Sequence, residues 1–262
     1  DGYRASLDLY FDRHDGQACT IEDWIAVFQD ATGRDLTQFK HWYTDAGTPR
    51  LTLTEDWADG RLTLNFRQET APTPGQGDKP ARVIPIAIGL FVPNGDEVLP
   101  TTVLEMPEPA QCFSFEGLGA RPVVSLLRGF SAPVTVAREI CASEQALLLA
   151  HDTDPYARWQ AGHDLALDGL IDCATTGGEG GEEFNRALAG VLADAEADPA
   201  FAALCLALPG EEEVALLHHR HRCLAARRGN ELRHYAQSHQ CRWCVYRRPE
   251  KRPLSQPLSN QQ

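Results

Sequence analysis

Arg50-Leu-Thr-Leu-Thr-Glu-Asp-Trp-Ala-Asp-Gly60-Arg-Leu-Thr-Leu-Asn-Phe66 is where the period of the chain changes. Leu51 and Leu53 alternate with Thr52 and Thr54, Trp57-Ala-Asp-Gly60 supplies a turn, and Leu62, Leu64 and Phe66 resume the alternation. A period of two puts successive side chains on opposite faces, so the stretch reads as a β-hairpin with one apolar face. Working towards the C-terminus, the Pro and Gly cluster from Pro72 to Pro80 is a loop, and Val83 to Val92 is a longer strand that ends in the turn Asn94-Gly95. Candidate strands follow at Thr101–Leu104, Cys112–Phe115, Val123–Leu127 and Val134–Ala137. Six or seven short strands over about 100 residues, with turn signals between them, describe an immunoglobulin-like β-sandwich.

On both sides of this block the period is helical. Leu7, Leu9, Tyr10 and Phe11 form an apolar patch that ends at Asp15-Gly16. Thr20-Ile-Glu-Asp23 has the form of a capping box, opening a helix with Trp24, Ile25, Val27 and Phe28 that Gly33 closes. A further helix is expected from about Asp35, because Leu36, Phe39, Trp42 and Tyr43 recur at spacings near three and four before Gly47-Thr-Pro49. From Ser143 the helical period returns. Asp154-Pro155 makes a helix start, Gly177–Glu183 a break, and Phe184–Ala195 and Asp198–Leu208 two more helices, the pattern of an α-helical array.

The chain has 262 residues and a formal charge of −13. No stretch approaches the roughly 18 consecutive apolar residues of a membrane span, and the first thirty residues lack a signal-peptide profile, so membrane partners are not expected. Residue 1 is Asp and the only methionine is Met106. The sequence is accordingly read as a processed product or a piece of something longer. Charge is unevenly spread: residues 218–262 carry a net +8 and the preceding 217 residues a net −21. Such asymmetry points either to a basic arm or to a tail foreign to the body.

Reaction-bearing motifs are mostly missing. There is no phosphate loop, no nucleophile elbow and no His-Glu-x-x-His, since none of the nine histidines is followed by Glu. The His-Asp pairs at His14, His151 and His163 read as surface or capping residues, and Glu182-Glu183 and Glu211-Glu-Glu213 as acids favoured by helix starts. Tyr3 and Tyr10 are given no catalytic role. Cys241-x-x-Cys244 with His239 and His234 is the one metal-like constellation, weakened by its single Cys pair. The Arg-rich run with Tyr235, Trp243 and Tyr246 is the corresponding candidate for nucleic acid. The scattered Cys19, Cys112, Cys141, Cys173 and Cys205 fit buried free thiols of a reducing cytoplasm.

Several stretches taken together resemble the zinc aminopeptidases of the aminopeptidase N type, the gluzincin alanyl aminopeptidases of Gram-negative bacteria. They are Leu9-Tyr-Phe-Asp-Arg-His-Asp-Gly16, Phe39-Lys-His-Trp-Tyr-Thr-Asp-Ala-Gly-Thr-Pro49, Gln68-Glu-Thr-Ala-Pro-Thr-Pro74, Phe130-Ser-Ala-Pro-Val134 and Asp154-Pro-Tyr-Ala-Arg-Trp159. The likeness fades after Leu208-Pro-Gly-Glu-Glu-Glu-Val-Ala-Leu-Leu217. The resemblance implies a multidomain α+β organisation: residues 1–47 as the last helices of a catalytic domain, 48–142 as the immunoglobulin-like β-sandwich, and 143–217 as the start of a C-terminal helical domain. Residues 218–262 would be a basic, disordered or frameshifted tail.

In that family a His-Glu-x-x-His helix and a distal Glu hold zinc, the motif Glu activates water, and a Tyr stabilises the oxyanion. None of these roles maps onto a residue here, so the resemblance implies no catalytic, cofactor-binding or metal-binding residue in this chain. Zinc and peptide substrates belong to the full-length enzyme, and the missing N-terminal and catalytic domains are the expected partners. The fragment is expected to be cytoplasmic, to act as scaffold and cavity wall, and to be inactive alone. Shifting the codons of His218-His-Arg-His-Arg-Cys223 by one base allows Ile-Ile-Asp-Ile-Asp-Ala, which suits a helix and favours the frameshift reading. The alternative is a non-catalytic interaction module whose tail binds nucleic acid or zinc.

Overall fold

A computed structural model describes residues 2–176, 182–193 and 195–215. It divides into two compact units, residues 1–158 and 159 onward.

The first unit opens with an antiparallel pair of helices, α1 (Gly2–His14) and α2 (Ile21–Thr32). The capping box at Thr20 forms as expected. Asp23 N–H donates to Thr20 Oγ1 at 3.2 Å and Thr20 N–H to Asp23 Oδ2 at 2.9 Å. These bonds hold the Asp23 carboxyl below its usual range, with the Thr20 main-chain N–H the largest contributor. Gly33 closes α2 in the left-handed region, its N–H on Gln29 C=O at 2.8 Å. Between the two helices the aromatic rings of Tyr10, Trp24, Phe28 and Tyr3 form a continuous row, with neighbouring centroids 4.7–5.5 Å apart.

The helix expected from Asp35 is not continuous. Asp35 Oδ1 accepts from Thr37 N–H at 2.9 Å, a local turn that competes with helix initiation, and hydrogen-bonded turns lead into only a short helix, α3 (His41–Thr44). The half-buried Trp42 leaves that helix to pack on the sandwich core.

Seven strands follow: β1 (Arg50–Ala58), β2 (Arg61–Glu69), β3 (Ile84–Phe91), β4 (Glu97–Met106), β5 (Ala110–Phe115), β6 (Val123–Leu126) and β7 (Thr135–Ala137). They form two sheets, in the orders β5-β2-β1-β7 and β4-β3-β6. Every pairing is antiparallel except β1 with β7, which is parallel. The alternation read at 50–66 is the inward face: Leu51, Leu53, Leu62, Leu64 and Phe66 are buried with Ile84, Ile86, Ile88, Leu90 and Met106 of the facing sheet. The unit ends with α4 (Ala142–His151) and the first turn of α5 (Pro155–Thr176), where Asp154 Oδ1 accepts from Ala157 N–H at 2.8 Å.

The second unit contains the remainder of α5, α6 (Glu182–Ala193), α7 (Pro199–Leu206) and helical residues 211–215. Leu165, Leu167 and Ile171 of α5, Phe184 and Val191 of α6, and Ala202 and Cys205 of α7 are buried. Glu182 and Glu183 occupy the first turn of α6, where the helix dipole favours them. No helix among the described residues is long and apolar enough to cross a membrane.

The five cysteines in the described residues keep their thiols outside disulfides, but only Cys173 and Cys205 are buried. Cys112 lies on the outward face of edge strand β5 and Cys141 at the cap of α4, both exposed, which corrects the expectation of five buried thiols.

Candidate functional site

The histidines singled out in the sequence lie apart. His14 contacts Tyr10, with ring centroids 5.5 Å apart. His151 is exposed, and a Cβ at Gly95 would stand 2.7 Å from its ring. In the second unit His163 stacks on Trp159 and sits 3.0 Å from Glu213. Among the described residues no three His, Cys, Asp or Glu side chains are grouped so as to hold a metal ion. His41 Nδ1 and Asp45 Oδ2, a pair absent from the sequence reading, lie 3.0 Å apart and, like His163 and Glu213, are two donors where a zinc site needs at least three. The described residues therefore do not fit a resident zinc. Cys241, Cys244, His234 and His239, like the aromatic and arginine residues of the tail, lie outside them.

The structure instead gathers chemistry around two buried arginines. Arg82, 2% exposed, leaves the loop between β2 and β3 and reaches the connection between α3 and β1. Its Nη1 donates to Gly47 C=O at 3.1 Å and its Nη2 to Asp45 C=O at 2.8 Å and Ala46 C=O at 3.4 Å, while the guanidinium lies 5.0 Å from the Trp42 ring centre. The same connection is held by Gln76, which accepts from Ala46 N–H at 2.7 Å and donates to Thr44 C=O at 3.0 Å, and by Lys79 on Ala46 C=O at 2.5 Å. Gln68, buried, exchanges bonds with Arg82 N–H and C=O at 2.8 and 2.7 Å. Gly47 takes a φ of 89°, a value suited to glycine, and a Cβ there would press on Lys79 Nζ. The stretches 39–49 and 68–74 are thus one assembly, a clamp on the chain entering the sandwich.

Arg128, also 2% exposed, forms the second centre. A guanidinium has five N–H donors. Here they meet Ser125 Oγ at 3.0 Å, Glu97 Oε1 at 2.6 Å, Thr101 Oγ1 at 2.8 Å, Asp152 Oδ1 at 2.7 Å and Thr153 Oγ1 at 3.3 Å. Gly89 of β3 leaves room for it, since a Cβ at that position would overlap the guanidinium. The backbone around Arg128 is left-handed at Leu127, Gly129 and Phe130, with φ of 56, 60 and 53°. A left-handed non-glycine residue costs about 1–3 kcal/mol. The turn sets Phe130 against Tyr156 in the first turn of α5, with centroids 5.4 Å apart. Stretches 130–134 and 154–159 therefore meet at this centre.

A smaller ion cluster lies at the edge of the sandwich. Arg121 bridges Glu144 at 2.5 Å and Glu55 at 3.3 Å. Burial pushes the Glu55 carboxyl above its usual range, only partly offset by Arg121 and Arg138. Burial acts on Glu144 too, but the Cys141 N–H and Arg121 outweigh it and hold that carboxyl low. Arg82, Arg128, Glu55 and Arg121 all escaped the sequence reading. Only Arg128, two residues before the resembling stretch that opens at Phe130, carried a positional signal.

Two family models match the chain: a domain of unknown function, DUF3458, with an Ig-like fold, over residues 47–139, and its C-terminal companion of ARM repeats over residues 142–249. Aminopeptidase N of Caulobacter vibrioides is 43% identical over 219 residues, which are 82% of this chain and 25% of that protein. Aminopeptidase N of Escherichia coli is 33% identical over 233 residues, 83% of this chain and 27% of that protein. Among solved structures, aminopeptidase A of Legionella pneumophila in complex with aspartic acid matches with a TM-score of 0.73 at 28% identity, over 86% of this chain and 27% of that one. The chain spans about a quarter of the length of the relatives it matches.

Proposed function

The chain belongs to the aminopeptidase N family, and on that premise we propose that it is the scaffold and part of the cavity wall of a zinc-dependent alanyl aminopeptidase. The observation that carries this reading is the match to aminopeptidase N at 43% identity with only 25% of that protein covered, in a sequence where no histidine is followed by Glu. Zinc would supply a lowered water pKa and a polarised carbonyl in the full-length enzyme. The described residues contribute no ligand to it. Their part is to fix, through Arg82 and Arg128, the entry to and exit from the β-sandwich, so that neighbouring parts of the enzyme are built on a rigid block. The cytoplasm is the proposed compartment, and peptides the proposed substrates of the whole protein.

Purified chain, incubated with an alanyl chromogenic substrate and zinc, is expected to give no turnover. Turnover that persists after host peptidases are removed would overturn the proposal. For residues 218–262 we infer a frameshifted origin, decided by the nucleotide sequence: a stop within a few codons of the adjacent frame ends that idea. The second family model matches through residue 249, so the gene is the place to settle it. The net +8 of the tail supports the rival binding reading. That reading requires salt-dependent retention on polyanions that disappears when 218–262 are deleted.

A further inference from the structure

Strand β7 has the shortest pairing in its sheet. It meets β1 only over residues 50–52, whereas β2 pairs with β1 from Arg50↔Glu69 to Ala58↔Arg61 and with β5 from Leu62↔Phe115 to Arg67↔Ala110. Residues 138–141 then carry the chain from β7 to α4. Beside β1, where β7 stops, a cavity of about 510 Å³ opens, lined by residues 52–55, Arg121 and residues 137–139. Glu55 stands in its wall with a side chain only 15% exposed.

The charges acting on Glu55 come from several elements. Arg121, in the loop between β5 and β6, lies 3.3 Å from it, and Arg138, which follows β7, and Glu144, in the first turn of α4, also act on it. Glu139, the remaining charged residue of the lining, is exposed. Arg121 is shared unequally, since it lies 2.5 Å from Glu144. Glu144 is fixed from a second side, where its Oε2 accepts from Cys141 N–H at 3.2 Å in the cap of α4. Arg138 also donates to Val124 C=O at 2.7 Å. Glu55 thus relies on two guanidiniums that both serve other acceptors. Burial outweighs them and pushes its carboxyl above the usual range. A carboxyl that ionises less readily when covered than when exposed favours uncovering as it ionises. The closed edge is therefore favoured while Glu55 is neutral, and that advantage is lost as the pH rises through the raised value. Glu144, held low, is already ionised there and keeps Arg121.

We propose that Glu55 is a pH-sensitive switch for this edge of the sandwich: neutral, it lies beneath a closed β7, and ionised, it drives β7 and residues 138–139 away from β1 while Arg121 stays with Glu144. The cavity beside Glu55 gives water its way in. The switch does not depend on the function proposed above.

The test is amide hydrogen exchange on the full chain from pH 5 to pH 8, corrected for the intrinsic pH dependence of exchange and referred to Leu64 and Phe66 in the core hairpin. Protection of Thr135, whose N–H donates to Pro49 C=O at 2.9 Å, and of Ala137 should fall at least about threefold over that range in the wild type and stay level in E55Q. At pH 8, E55Q should therefore protect both amides better than the wild type, and R121Q, which removes a compensating charge, should protect them less. E116Q, in an exposed ion pair outside the cavity lining, should follow the wild type. A fall of equal size in E55Q, no fall in the wild type, or firmer protection in R121Q overturns the proposal. An independent reading needs no variant: the Glu55 carboxyl carbon, followed by NMR in the wild type, should titrate above an exposed glutamate, and titration in the ordinary range refutes the switch.

Discussion

Arg82 and Arg128 are buried to the same degree in the same unit, yet their charges are accommodated by opposite means. Arg128 is surrounded by side chains, two of them carboxylates, and all five of its donors are used. Arg82 is fed by main-chain carbonyls and the Trp42 ring, and its Nε is buried without a hydrogen-bond partner. A charge matched by side chains depends on the identity of its partner residues. A charge matched by carbonyl dipoles depends only on the path of the backbone. Arg128 therefore ties side chains of several elements together, whereas Arg82 shapes a connection.

The largest expected effect that would break this contrast is R128A. It strands the Glu97 and Asp152 carboxylates, at 23% and 0% side-chain exposure, and should cost about 3–5 kcal/mol in denaturant unfolding. A loss no greater than that of an exposed arginine would disprove the hub. Next comes the rescue: R128M/D152L, which removes both members of the most buried pair, should recover about 2 kcal/mol of the R128A loss, because the desolvation penalty disappears with the charges. No comparable rescue exists for Arg82, whose acceptors cannot be mutated. R82A should cost about 2–3 kcal/mol and raise proteolysis near residues 44–47, and an unchanged cleavage pattern would mean that the clamp does not order that connection.

The smallest effect tests the edge cluster. Burial raises the folded-state pKa of Glu55, so its ionisation disfavours folding as the pH rises through that value, and the penalty is gone below its unfolded pKa of about 4.5. The melting temperature of E55Q relative to wild type should therefore become more favourable between pH 4 and pH 7. Glu144 runs the other way: its lowered pKa stabilises the fold at neutral pH and that contribution is lost on acidification. A flat difference for E55Q would mean that Arg121 and Arg138 already neutralise its burial.

The strands were legible because one face of each sheet is buried, and burial on one face writes a period of two into Leu51, Leu53, Leu62 and Leu64. The cap at Thr20 was legible because its partners are three residues apart. The two arginines were not. Arg128 and Asp152 are 24 residues apart, and Arg82 and Gly47 35, and a lone Arg in sequence carries the signature of a solvated surface. The expected helix at Asp35 failed because an apolar spacing of three and four does not reveal a side chain that bonds its own backbone. The resemblance supplied the family, while the meeting of its separate stretches at two clamps came only from coordinates.

The Asp59-Gly60 turn also has a consequence in time. The β1–β2 hairpin needs only local chain closure, and hairpins form in about 1–10 μs. The parallel pairing of Arg50 with Thr135 must bring together residues 85 positions apart, so it carries the larger loop entropy and gains little from three pairs. Strand β7 should therefore be among the last parts of the sandwich to assemble and the first to fray. In native-state hydrogen exchange the Thr135 and Ala137 amides should exchange well before those of Leu64 and Phe66, and equal protection would mean that the sandwich closes and opens as a single cooperative piece.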